Sequence, residues 1–151
     1  MTVQAIKEKA MVLGVILMLI GLLTGFAVAA LTNPRMGVAA HVEAIMGGII
    51  LIVFGGLLVE NIRCSEKLIT ISWISLLLSL YGNYVFIVLA SIWGTSMTMP
   101  IAGNGFRAVL WKESVVALGL LLCNGAILLS LAIVIRGLVK HAGYKRGSAV
   151  S

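Results

Sequence analysis

Aspartate is absent from this chain of 151 residues, and it has only two cysteines, two prolines and two histidines. No HExxH, GxSxG or phosphate-loop motif occurs in it, which excludes zinc proteases, serine hydrolases and nucleotide enzymes. Cys64 falls in a connection and Cys123 inside an apolar run, so they neither staple a fold nor make a metal site, and both read as free thiols. Of the histidines, His141 lies beyond the last apolar run, so the pair of intramembrane His ligands common in membrane cytochromes cannot be assembled. Charge is the deepest shortage. Charged residues make up 11% of the chain, against about 25% in a soluble domain, while 61% is hydrophobic.

What is present is a series of long uncharged stretches, at 10–34, 44–59, 68–106 and 114–135. A bilayer core of about 30 Å needs about 20 apolar helical residues. The chain therefore reads as all-α, an integral membrane four-helix bundle in one domain, with spans at about 10–32, 38–59, 68–93 and 114–135 and a basic tail at 136–151. Asn33-Pro34 ends the first span. Lys7 and Lys9 followed by an apolar run mimic a secretory signal, but the run is longer than a signal core and reads as a retained helix. The third uncharged stretch is too long for one span. Its pattern fails at Gly94-Thr95-Ser96, and Pro100, Gly103, Asn104 and Gly105 mark a loop up to Phe106.

The net charge of +6 could suggest nucleic acid, but Arg136, Lys140, Lys145 and Arg146 directly follow an apolar run, as a flank facing anionic lipid does. No nucleic-acid partner is expected. With Lys7, Lys9, Arg63 and Lys67 they outnumber Arg35, Arg107 and Lys112 on the other side, so both termini are expected in the cytoplasm, in a bacterial cytoplasmic membrane.

In that orientation His41, Glu43, Tyr81, Asn83, Tyr84 and Asn124 share the outer half of the membrane. An ionisable group there is paired, faces protein or binds something. His41 and Glu43 are two residues apart and point about 200° away from each other, so they cannot both face one site. The expected partner of Glu43 is Arg35 or Arg107, at a loop or subunit contact. His41 reads either as a ligand or as an interfacial residue bonded to a loop carbonyl. Ser72, Ser75, Ser79 and Asn83 form a stripe that reads as helix-packing glue, and Gly21, Gly25, Gly47, Gly48, Gly55 and Gly56 as close-contact positions carrying no chemistry. Trp93 and Trp111 flank the outer loop as interfacial anchors.

The stretch Asn33-Pro34-Arg35-Met36-Gly37-Val38-Ala39-Ala40-His41-Val42-Glu43-Ala44-Ile45-Met46-Gly47-Gly48 resembles the bacterial hydroxylaminobenzene mutases, as does the run from Gly94-Thr95-Ser96 to Pro100-Ile101-Ala102-Gly103. More distantly the chain is similar to styrene oxide isomerase. The resemblance implies a trimer with haem b at the subunit interface, its iron a Lewis acid bound by His41, and an active-site role for Asn83. Where the isomerase has an Asn, a Tyr and an Asp, this chain has Gly47, Ile87 and Ser79, so Tyr81 or Tyr84 is left to supply a hydroxyl.

The reaction implied is redox-neutral. Hydroxylaminobenzene loses its hydroxyl with help from iron or an acid such as Tyr84, and oxygen returns at the ortho carbon to give 2-aminophenol. A dry pocket limits attack by water, and the aromatic substrate partitions in from the bilayer. Isomerisation of an aryl epoxide to an aldehyde is the nearest alternative. A small four-span transporter using Glu43, or a non-catalytic subunit or haem sensor, are alternatives of other classes.

Overall fold

A computed structural model describes residues 1–148, with side chains to Tyr144. Expectations for the side chains of Lys145 and Arg146, and for 149–151, lie outside the described residues. Four helices are long and apolar enough to cross a membrane. They are α1 (Val3–Ala27), α2 (Pro34–Val53), α3 (Glu66–Trp93) and α5 (Leu110–Ser148), with a short α4 (Pro100–Gly103) in the connection after α3. No strand occurs among the described residues.

Local sequence sets most boundaries. The Thr2 and Ser65 hydroxyls accept backbone N–H bonds at the starts of α1 and α3. Asn33 caps α2 by accepting from the Met36 N–H, and Pro34 follows at the first helical position, where its missing donor is not needed. Gly94 ends α3 at φ 68°, a left-handed conformation that a side chain disfavours.

The helices extend beyond the apolar runs that announced them. The span expected from residue 10 begins its helix at Val3, and α5 carries on to Ser148, so the basic segment continues the last helix. At about 1.5 Å per residue, α5 is nearly twice as long as the hydrocarbon is thick. The span expected at 38–59 is not one regular helix. After Val53 it opens into a π-helical turn, Phe54–Leu58, and then tightens into a 3₁₀ turn, Val59–Asn61.

α2 and α3 form the middle of the molecule. α1 packs chiefly on α2, α5 chiefly on α3, and α1 and α5 make no substantial contact with each other. α1 and α2 approach backbone to backbone, because a Cβ on Gly14 would sit 2.7 Å from the Gly48 carbonyl oxygen. One buried cluster joins α1, α2 and α3 through Leu17, Ala44, Leu51, Trp73 and Leu76. A second, towards the Asn33 end, joins Met36 and Ala40 of α2 to Ile87 and Ala90 of α3 and Val116 and Leu120 of α5. Between α3 and α5, Ser72 and Ser130 bond hydroxyl to hydroxyl (2.9 Å), and the Ser130 hydroxyl also sits 2.9 Å from the Ser72 carbonyl.

Candidate active site

His41 sits on the α1 side of α2. Its Nδ1 lies 2.7 Å from the Gly21 carbonyl oxygen. A carbonyl can only accept, so Nδ1 carries the proton and Nε2 of the neutral ring keeps its lone pair for a ligand. Gly25 makes room for the ring, since a Cβ there would lie 2.8 Å from Nδ1. Both glycines are close-contact positions, as their spacing suggested, since a Cβ on Gly21 would lie 2.8 Å from that of Ala44. One glycine orients the imidazole and the other seats it.

Glu43 sits on the α3 side of α2. The Asn83 Nδ2 donates to Glu43 Oε1 at 2.6 Å. The expected pairing of Glu43 with Arg35 or Arg107 does not occur within the chain. Arg35 instead donates to Asn104 Oδ1 at 3.2 Å, and the one salt bridge among the described residues joins Lys7 to Glu60. The physical reason is register. Glu43 lies more than two turns into α2, past Arg35 in its first turn and the loop that carries Arg107, and at its level the polar group on α3 is an amide.

Asn83 also lines a cavity of about 450 Å³ between α3 and α5. Ile87, Ala117, Leu120 and Leu121 form apolar wall, Asn124 adds a second amide, and Thr98 and Met99 line it towards the loop. Asn124 is exposed on the single chain and bonds to no other residue among those described. Ile87, where the resemblance led one to look for a Tyr, is thus wall. Gly47 is buried, and a Cβ there would approach Leu17 of α1 to 3.2 Å, so an Asn side chain would have to displace it.

Tyr81 and Tyr84 do not join this cavity. The Tyr81 hydroxyl donates to the Leu13 carbonyl at 2.7 Å. The Tyr84 hydroxyl lies 2.8 Å from Thr24 Oγ1, and Thr24 gives its own hydrogen to the Ile20 carbonyl, so Tyr84 donates to Thr24. Both hydroxyls tie α3 to α1. The structure therefore brings together Glu43, Asn83 and Asn124, and places His41, Tyr81 and Tyr84 against α1.

The connection beyond α3 hangs on two residues that sequence reasoning passed over. The Glu113 carboxylate, buried in the first turns of α5, accepts from the backbone N–H groups of Ser96, Met97 and Ala108 at 2.9–3.2 Å. The fully buried Asn33 amide donates to the carbonyls of Ala102 and Gly103 at 3.2 Å, fastening α4 to the start of α2. Asn33-Pro34 signalled the end of the first span, but nothing read from the sequence signalled the cap of α2 or the bond to α4. Trp93 and Trp111 meet edge to face at 5.4 Å between ring centres, with the Lys112 ammonium 5.6 Å from each.

No group of three or more His, Cys, Asp or Glu side chains that could hold a bare metal ion occurs among the described residues. A tetrapyrrole brings four nitrogens of its own and needs one axial imidazole, and a His with its Nδ1 hydrogen fixed on a carbonyl fits that demand.

Comparison with known proteins adds the following. The family model for styrene oxide isomerase matches residues 6–139. Hydroxylaminobenzene mutase HabB of Ectopseudomonas oleovorans is 28% identical over 134 residues, covering 88% of this chain and 81% of the relative. Hydroxylaminobenzene mutase HabA of the same organism is 36% identical over 104 residues, 68% of this chain and 76% of the relative. No solved structure matches.

Proposed function

The chain belongs to the styrene oxide isomerase family, and from that premise we propose that it is a membrane-embedded, haem-dependent mutase converting hydroxylaminobenzene to 2-aminophenol. The single observation that carries the reading is Asn83, held by Glu43 at the wall of an otherwise largely apolar cavity within the usual size range of small-molecule pockets. The two hydroxylaminobenzene mutase relatives support the N-aryl hydroxylamine as substrate. The family model supports the second reading, isomerisation of an aryl epoxide to an aldehyde.

His41 Nε2 is the atom proposed to hold haem b, which when bound supplies a Lewis-acid iron for a departing hydroxyl. The chain's own residues do the rest. The Gly21 carbonyl keeps the His41 ring in one tautomer and orientation. Glu43 fixes the Asn83 amide, which orients the polar end of the substrate, while Ile87, Leu120 and Leu121 receive its ring. The apolar wall keeps bulk water from the ring cation, so that oxygen returns at the ortho carbon before another nucleophile arrives.

His41 and the Asn83 cavity lie towards different neighbours of α2, α1 in one case and α3 in the other. A cyclic trimer joins one flank of each copy to the opposite flank of the next, and is the assembly we propose. The distribution of basic residues supports termini in the cytoplasm of a bacterial cell.

Detergent-purified protein tests the proposal. The wild type is expected to show a haem absorption band and to form 2-aminophenol from hydroxylaminobenzene with no added reductant. His41→Ala is expected to insert normally but to lose the band and the activity. A colourless wild-type preparation, or a His41→Ala protein that keeps all its haem, overturns the haem assignment.

A further inference from the structure

We propose that Asn124 is a substrate-binding residue that reads the N–OH group and makes the cavity selective for N-hydroxy arylamines. The inference rests on the reading that this cavity holds the substrate.

An amide inside hydrocarbon is unfavourable unless its donors and acceptor are bonded. Every other Asn within the spans has found a partner. Asn33 caps α2 and holds α4, Asn61 donates to the Leu57 carbonyl at 2.8 Å, and Asn83 donates to Glu43. Asn124 sits four turns into α5 with no bond to the described chain, although it lines the same cavity as Asn83. Gly125, beside it, has open space where a side chain would stand.

The chemistry of the missing partner follows from Asn83. A carboxylate accepts only, so Glu43 claims an N–H of Asn83 and leaves its Oδ1 without a donor from the chain. Asn124 adds a second acceptor and two donors. A ligand that completes this pair must donate as well as accept while its remainder fills an apolar wall. The N–H and O–H of an aryl hydroxylamine donate and its oxygen accepts. An epoxide oxygen accepts only, so it leaves the Asn83 oxygen unmet, and sites built around a substrate hydrogen bond discriminate strongly against such analogues. Thr98 and Met99 line this space towards the loop.

Asn124→Leu tests the assignment in the purified full-length protein. The site is exposed on the single chain, so the substitution should leave its fold intact, and size-exclusion chromatography reads the assembly. Binding of hydroxylaminobenzene, followed by thermal-shift titration, should weaken about tenfold, the value of one well-placed hydrogen bond. KM should rise by the same factor with kcat changed less than about threefold. Competition by toluene, which uses only the apolar wall, should be unaltered, and Asn124→Thr should recover part of the affinity. Turnover with an unchanged KM and affinity overturns the role of Asn124 and leaves the mutase reading standing. An altered oligomer with unchanged affinity likewise overturns it, by making Asn124 a subunit contact. Asn124-dependent binding with no product overturns the mutase reading instead, and a wild type that does not bind hydroxylaminobenzene overturns both.

Discussion

A carboxylate at the depth of Glu43 needs a donor, and the structure gives it the Asn83 amide on the facing helix. Glu43→Gln keeps an acceptor there and is expected to shift the unfolding midpoint in detergent only slightly. Glu43→Leu removes the acceptor, frees the Asn83 amide to rotate, and is expected to destabilise by about 1–2 kcal/mol and to raise KM more than the Gln variant. Equal effects in the two variants would mean that the charge matters more than the bond. The sequence made the divergence of His41 and Glu43 legible, because helical geometry alone turns them apart, and their neighbours are indeed different helices. It could not supply the partner of Glu43. Which residue of α3 stands opposite depends on how far one helix slides along another, and no local pattern in either strand of sequence encodes that. For the same reason the bonds of Tyr81 and Tyr84 to α1 were not legible in the sequence.

Among the elements, α3 and α5 are joined by the reciprocal Ser72–Ser130 contact, as the serine stripe along α3 led one to expect. Bonds of this kind within a membrane average about 0.6 kcal/mol. Ser72→Ala and Ser130→Ala should each cost about that much or slightly more, and the double variant less than their sum, measured by reversible unfolding in mixed micelles. Ser75→Ala, whose hydroxyl has no partner among the described residues, is the control and should be neutral. Strict additivity would show that the two hydroxyls act independently. All four helices could be read from the charge gaps, and the ends of the first and third from Asn33-Pro34 and Gly94. Their full lengths could not, since a helix persists past the apolar run for as long as its backbone bonds continue. The change of winding after Val53 was also hidden, because Phe54-Gly55-Gly56-Leu57-Leu58 has the same composition as an ordinary apolar turn.

Taken whole, the molecule gathers Lys7, Glu60, Arg63 and Arg136 at one end, and Arg35, Arg107 and Lys112 with the loop after α3 at the other. Cys64 lies at the first of these ends, partly exposed and packed beside Gly137. With Cys123 replaced by Ala, a membrane-impermeant thiol reagent should therefore label inverted vesicles and spare intact cells, and the opposite result would reverse the orientation. The π-helical turn after Val53 carries one residue more than an α turn of the same rise, and Gly56 within it has nothing within 4 Å of where its side chain would be. A related chain lacking that residue could close the turn to an ordinary α turn of the same rise, and everything after it would keep its facing. Glu60 would still meet Lys7. A one-position gap between homologues at this point consequently records slack taken up inside the shaft of a helix, much as a gap elsewhere records slack in a loop.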